Sequence, residues 1–179
     1  MGQKGQSKLN QFEAINEEEI RRKYSFFTKL LIERNLSVTT MESATGGQVA
    51  SLITDTEGAS AIFKGAYITY SNEMNIKHGV PASIIEKYSV YSKETASAMA
   101  HACKIAFDAD IGIGITGTMG NIDPSTKSFS IPGEVFFSIE YNDLSFSYAF
   151  KLPVYENRLS YKLAVSELIL NKVLEIIDK

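Results

Sequence analysis

Apolar residues recur at helical spacing through Ile20, Phe27, Leu30 and Leu31, and Asn16 followed by Glu17, Glu18 and Glu19 supplies a cap and favourable charge just ahead of them. A helix from Asn16 to about Asn35 is predicted. Ser37–Met41 reads as a short strand, Gln48–Thr54 as a helix and Gly65–Tyr70 as a second strand. Short helices are expected over Ser71–His78 and Ala82–Lys87. Ser92 caps a longer one, Lys93–Phe107, with Ala96, Met99, Ala100, Cys103 and Phe107 on one side. Asp110–Thr116 is apolar at every non-glycine position between its ends, the mark of a central strand covered on both faces. After a loop from Gly117 to Pro132, the alternating runs Glu134–Tyr141 and Leu144–Leu152 straddle Asn142-Asp143, a hairpin signal. Arg158–Ile177 closes the pattern as an amphipathic helix carrying Leu159, Leu163, Val165, Leu168, Ile169, Val173 and Ile176.

Strands alternating with helices, then a hairpin, predict a three-layer α/β/α domain whose mixed sheet is mostly parallel with a late antiparallel hairpin. The domain is expected over residues 16–179, and the polar, aperiodic residues 1–15 are expected to form a flexible tail. With 179 residues, 44% of them hydrophobic, the chain suits one domain of ordinary size. No apolar run is long enough to span a bilayer, so neither a membrane partner nor a secretory leader is expected, and a cytoplasmic location is. The net charge of −3 argues against nucleic acid as a partner. Cys103 is the single cysteine, and it and the two histidines, His78 and His101, have no metal-ligand spacing, so no metal and no cofactor are expected.

In an α/β sheet of this kind, ligands bind beyond the carboxyl ends of the strands. Two loops qualify: Glu42–Gly47 after the first strand and Thr116–Asn121 after the central one. In the first, Gly46 and Gly47 permit close backbone approach, and the N–H groups opening the next helix would suit a phosphate or carboxylate. Without the P-loop lysine or a G-x-G-x-x-G run, this turn serves equally well as a tight strand-to-helix connection. The hydroxyls Ser43, Thr45, Ser60, Tyr70, Ser71, Thr116 and Thr118 all fall at strand ends or turns, where capping alone accounts for many such residues. His78 and His101 read as surface or packing residues, and no nucleophile elbow is present.

These residues, taken in order, carry a resemblance. Glu42-Ser43-Ala44-Thr45-Gly46-Gly47, Thr54-Asp55, Gly58-Ala59-Ser60-Ala61, Phe63 and Tyr70-Ser71-Asn72-Glu73 resemble the CinA C-terminal domain family. The likeness continues through Gly79-Val80-Pro81, Val90 and Ser92, Met99-Ala100, Thr116-Gly117 with Gly120, and Glu156-Asn157-Arg158, covering roughly residues 17 to 177. It implies a metal-free nicotinamide-nucleotide amidohydrolase that converts nicotinamide mononucleotide to nicotinate mononucleotide and ammonia. Ser60 matches the family's nucleophile, and Tyr70 and Thr116 match active-site hydroxyls. Glu42, Ser43, Thr45, Gly46, Gly47, Asn72, Gly117 and Arg158 match substrate-binding positions, with Arg158 suited to a phosphate. Such a route needs an activated hydroxyl and donors aimed at the oxyanion. A homo-oligomer and a small nucleotide substrate are the partners implied.

The chain departs from the family pattern at identifiable places. Asn75 stands where the family has the lysine that serves as base, the spacing to Gly79 is one residue shorter, and Ala44 replaces a cysteine. Met119-Gly120-Asn121 replaces Ala-Gly-Pro, and Ser125–Ser130 lengthens the following loop. A carboxamide takes no proton at neutral pH, so weak activity is expected unless Lys64, Lys77 or Tyr70 serves as base. The other reading is a catalytically degenerate member that binds a nucleotide or a protein.

Overall fold

The computed structural model of the protein describes residues 14–121 and 130–178. The expected tail therefore lies outside the described residues except for Ala14 and Ile15, and the expected loop insertion except for Ser130. Ile15 stands immediately before the cap of the first helix and packs against the core.

Helix α1 spans Glu17–Arg34, and Asn16 caps it by accepting from Glu19 N–H. Strand β1, Val38–Glu42, is followed by α2, Gln48–Thr54, and by a 3₁₀ turn, Ala59–Ala61. Strand β2, Ala66–Ile68, leads to α3, Asn72–Lys77, and α4, Ala82–Tyr88. Helix α5, Lys93–Phe107, capped by Ser92, precedes β3, Ile111–Gly117. Strands β4, Glu134–Tyr141, and β5, Leu144–Lys151, form the hairpin, and α6, Arg158–Ile177, ends the fold. At the hairpin turn Asn142 and Asp143 have φ of 51° and 60°, both in the left-handed region that a tight two-residue turn of matching twist requires.

The five strands lie in the order β2-β1-β3-β4-β5. Strand β1 pairs parallel with β2 and β3, whereas β4 pairs antiparallel with β3 and β5, so only β4 runs against the other four. This is the predicted mostly parallel sheet with its late hairpin.

The two faces of the sheet are packed by different means. On one face Ile111, Ile113 and Ile115 of β3 join Phe27 and Leu31 of α1 and Val165, Ile169 and Val173 of α6 in the larger core cluster. Each such side chain contributes about 1.5–3 kcal/mol by leaving water. The hydroxyl of Tyr24 donates to Ser166 O at 2.7 Å and ties α1 to α6. On the other face α5 lies directly on β3. A methyl group at Gly114 would meet Ala96 O at 2.1 Å, and one at Gly112 would meet Ala100 O at 2.3 Å. These two glycines are the notch that lets α5 approach, and Met41, Met99 and Cys103 complete the smaller cluster beside them. Leu159, expected in the buried stripe of α6, is 46% exposed. It stands in the first turn of the helix, before the face that packs on the sheet.

Candidate functional site

The loop after β1 is organised by Glu42, a buried carboxylate. Thr40 Oγ1 donates to its Oε1 at 2.9 Å and Thr45 Oγ1 to its Oε2 at 2.6 Å. Three backbone N–H groups at the start of α2 do the same: Gly47 at 2.9 Å, Val49 at 3.2 Å and Ala50 at 2.8 Å. Five donors thus surround one buried charge, which is the condition for holding a carboxylate in the interior. This corrects the expectation that the N–H groups after Gly46-Gly47 await a ligand phosphate. The anion at that helix start is the protein's own side chain, and Thr45 belongs to its support.

Beside this closed knot lies an open patch. Tyr70 follows β2 and is exposed, and its hydroxyl oxygen accepts from Arg158 Nη2 at 2.9 Å. Gly46 has φ of 56°, and a Cβ there would lie 3.2 Å from Lys162 Nζ and 3.7 Å from the Tyr70 ring. Gly46, Tyr70, Arg158 and Lys162 are therefore neighbours at the carboxyl ends of the parallel strands, where this topology places ligands. Ser43, half-buried, opens the same loop, and Asn72, exposed, begins α3 two residues after Tyr70.

Lys162 was not singled out in the sequence. The available signal was its position one helical turn after Arg158, on a helix whose first turn has no acidic residue. At a helix N-terminus, where the dipole disfavours cations, that pairing calls for an explanation beyond stability.

Asn75 and Thr116 lie near the carboxyl ends of the strands, but both are committed to internal bonds. Asn75 is 1% exposed, and its Oδ1 accepts from Thr69 Oγ1 at 2.6 Å. Thr116 is fully buried on the α5 side of the sheet and donates to Val90 O at 2.9 Å. Gly117 pairs with Val135 in the sheet.

Ser60 is placed elsewhere. Val38, the first residue of β1, donates from its N–H to Ile62 O at 2.8 Å, so the 3₁₀ turn carrying Ser60 sits at the amino end of β1. Thr69 N–H donates to Glu42 O at 3.0 Å, so Tyr70 sits at the carboxyl end. Five residues of strand separate them, about 13 Å at the usual rise. The Ser60 side chain is exposed. Lys64 lies at that same far end, with its ammonium 3.1 Å from Asp108 O, and Lys77 is exposed at the end of α3. Lys64 is not drawn into the Tyr70 patch.

A second concavity of about 720 Å³ lies on the α5 side against β5, bordered by Tyr88, Ser97, His101, Glu140, Ser145 and Ser147 among others. There His101 Nδ1 stands 3.0 Å from Glu140 Oε2, and Ser97 and Ser145 hydroxyls are 2.9 Å apart. Cys103, in the adjoining core, is inert: burial pushes its thiol up to about 12. Among the described residues no helix is long and apolar enough to cross a membrane.

Comparison with known proteins gives a consistent result. The family model described as the CinA C-terminal domain matches residues 21–177. A relative from Halothermothrix orenii, named for competence-damage inducibility, is 45% identical over 93 residues, covering 51% of this chain and 22% of its own. A CinA-like protein from Colwellia psychrerythraea is 42% identical over 91 residues, covering 50% of this chain and 21% of its own. The chain thus matches only about a fifth of the length of these two relatives. Among solved structures, the competence damage-inducible protein A from Klebsiella pneumoniae superposes with a TM-score of 0.82 at 19% identity, covering 89% of this chain and 97% of that one. A CinA superfamily protein from Escherichia coli gives a TM-score of 0.75 at 25% identity, covering 90% and 96%.

Proposed function

The chain belongs to the CinA C-terminal domain family, and from that premise we propose that it binds nicotinamide mononucleotide at the carboxyl end of β1 and hydrolyses the amide slowly. The observation that supports this most is the contact between Arg158 and Tyr70 at 2.9 Å, which unites two residues 88 positions apart over the Gly46 loop. Arg158 offers a guanidinium for a phosphate, Tyr70 an aromatic face and a hydroxyl, and Ser43, Gly46, Gly47 and Asn72 border the same ground.

In this reading the Ser60 oxygen attacks the amide carbon, the nitrogen leaves as ammonia, and water cleaves the resulting ester to give the carboxylate and regenerate the hydroxyl. Ser60 lies a strand length from Tyr70 within one chain, so this reading requires Ser60 to be supplied by a second copy. General-base assistance is the weak point, because Asn75 takes no proton. Its loss typically costs about 10²–10⁴-fold in rate.

A second reading, binding without hydrolysis, is favoured by one specific feature: the Asn75 carboxamide is buried and bonded to Thr69. Ammonia release from nicotinamide mononucleotide separates the two. Turnover that is measurable and is abolished in Ser60→Ala supports the hydrolase. Saturable binding of the nucleotide with no ammonia released supports the binding role.

A further inference from the structure

A phosphorylated ligand at the Tyr70 patch needs its charge met, and the start of α2 is unavailable because Glu42 occupies it. Two cations of α6 border that patch. Arg21, Lys23, Arg34, Lys64, Lys104 and Lys172 each have a carboxylate within 4 Å. Arg158 and Lys162 have none among the described residues, although they stand one helical turn apart and flank the same tyrosine. Two like charges at this spacing repel. The Lys162 side chain nevertheless lies over Gly46 instead of turning away, with its ammonium 3.2 Å from where a Cβ on that glycine would stand.

We propose that Lys162 is the second ligand for the substrate's phosphate and that, with Arg158, it selects a phosphomonoester dianion over the unphosphorylated nucleoside. A guanidinium fork meets two phosphate oxygens in one plane, and an ammonium is a point charge suited to the third. This rests on the reading that the carboxyl end of β1 is the nucleotide site. It does not require that the bound amide be hydrolysed.

The test is calorimetric titration of the full chain with three probes: nicotinamide mononucleotide, ribose 5-phosphate and nicotinamide riboside. In Lys162→Met both phosphorylated probes should bind at least about tenfold more weakly, the loss of one charge-assisted contact. The riboside should bind as it does to the unaltered protein. Lys162→Arg should keep phosphate affinity, which separates lost charge from a disturbed helix. Unchanged affinity of Lys162→Met for the two phosphorylated probes, or an equal loss for all three, overturns the proposal, as does failure of the unaltered protein to favour the phosphorylated forms. Tight binding without ammonia release would instead count against hydrolysis and leave the phosphate assignment standing.

Discussion

The Glu42 carboxylate and the Arg158–Lys162 pair adjoin through consecutive glycines, since Gly47 donates to the first and Gly46 lies against the second. Glu42 is buried and accepts from five donors of its own chain. Arg158 is exposed and Lys162 half-buried, and neither has a carboxylate partner among the described residues. A charge with every bond satisfied holds a loop in shape. A charge left unmatched beside that loop is available to a ligand, and its cost to the free protein is small because water screens it. The site motif is thus divided between a rigid half, Glu42 with Thr45 and Gly47, and an open half, Gly46 with Tyr70, Arg158 and Lys162.

If the rigid half is structural, Glu42→Gln should have the largest effect on stability. The substituted amide nitrogen would face N–H donors, and we expect a loss of about 3 kcal/mol in urea unfolding. A loss below about 0.5 kcal/mol would mean that the charge does not hold the loop. The α5 notch is closed in the same sense: Gly114→Ala puts a methyl group into Ala96 O and should cost about 2 kcal/mol by overpacking.

Much of the fold was legible because its signals are local. Asn16 ahead of three glutamates marked the start of α1, Ser92 marked α5, and Asn142-Asp143 marked the hairpin, and each side chain or dihedral does in the structure what its position implied. The fate of Glu42 was not legible in the same way. Strand, Thr-Gly-Gly turn and helix read as a cradle with open N–H groups, and only the inward face of the last residue of β1 shows that a carboxylate from within fills it. The position of Ser60 was not legible for a related reason. The family resemblance implies one site for Ser60 and Tyr70, but a whole strand length lies between the Val38–Ile62 bond and the Thr69–Glu42 bond. Lys162 escaped notice because a single lysine on the polar side of an amphipathic helix has no local mark until Gly46 is seen beneath it.

Asn75 belongs with the rigid half. Asn75→Ala removes the bond to Thr69 and should cost about 1 kcal/mol, with the rate of ammonia release per folded molecule unchanged. A tenfold loss of rate at unchanged fold would move Asn75 to the open half as a participant in turnover. The smallest stability effect is expected at the surface. Arg158→Met should shift unfolding by no more than about 0.5 kcal/mol, and a larger loss would show that the Arg158–Tyr70 bond is structural.

The most direct test of the division is a residue-by-residue map of backbone amide shifts as nicotinamide mononucleotide is added to the full chain. The account predicts saturable shifts centred on Gly46, Tyr70, Arg158 and Lys162, with the Val49 and Ala50 amides, held by Glu42, moving less. Shifts centred instead on the α5–β5 concavity around His101, or no saturable shift at Gly46, would contradict it.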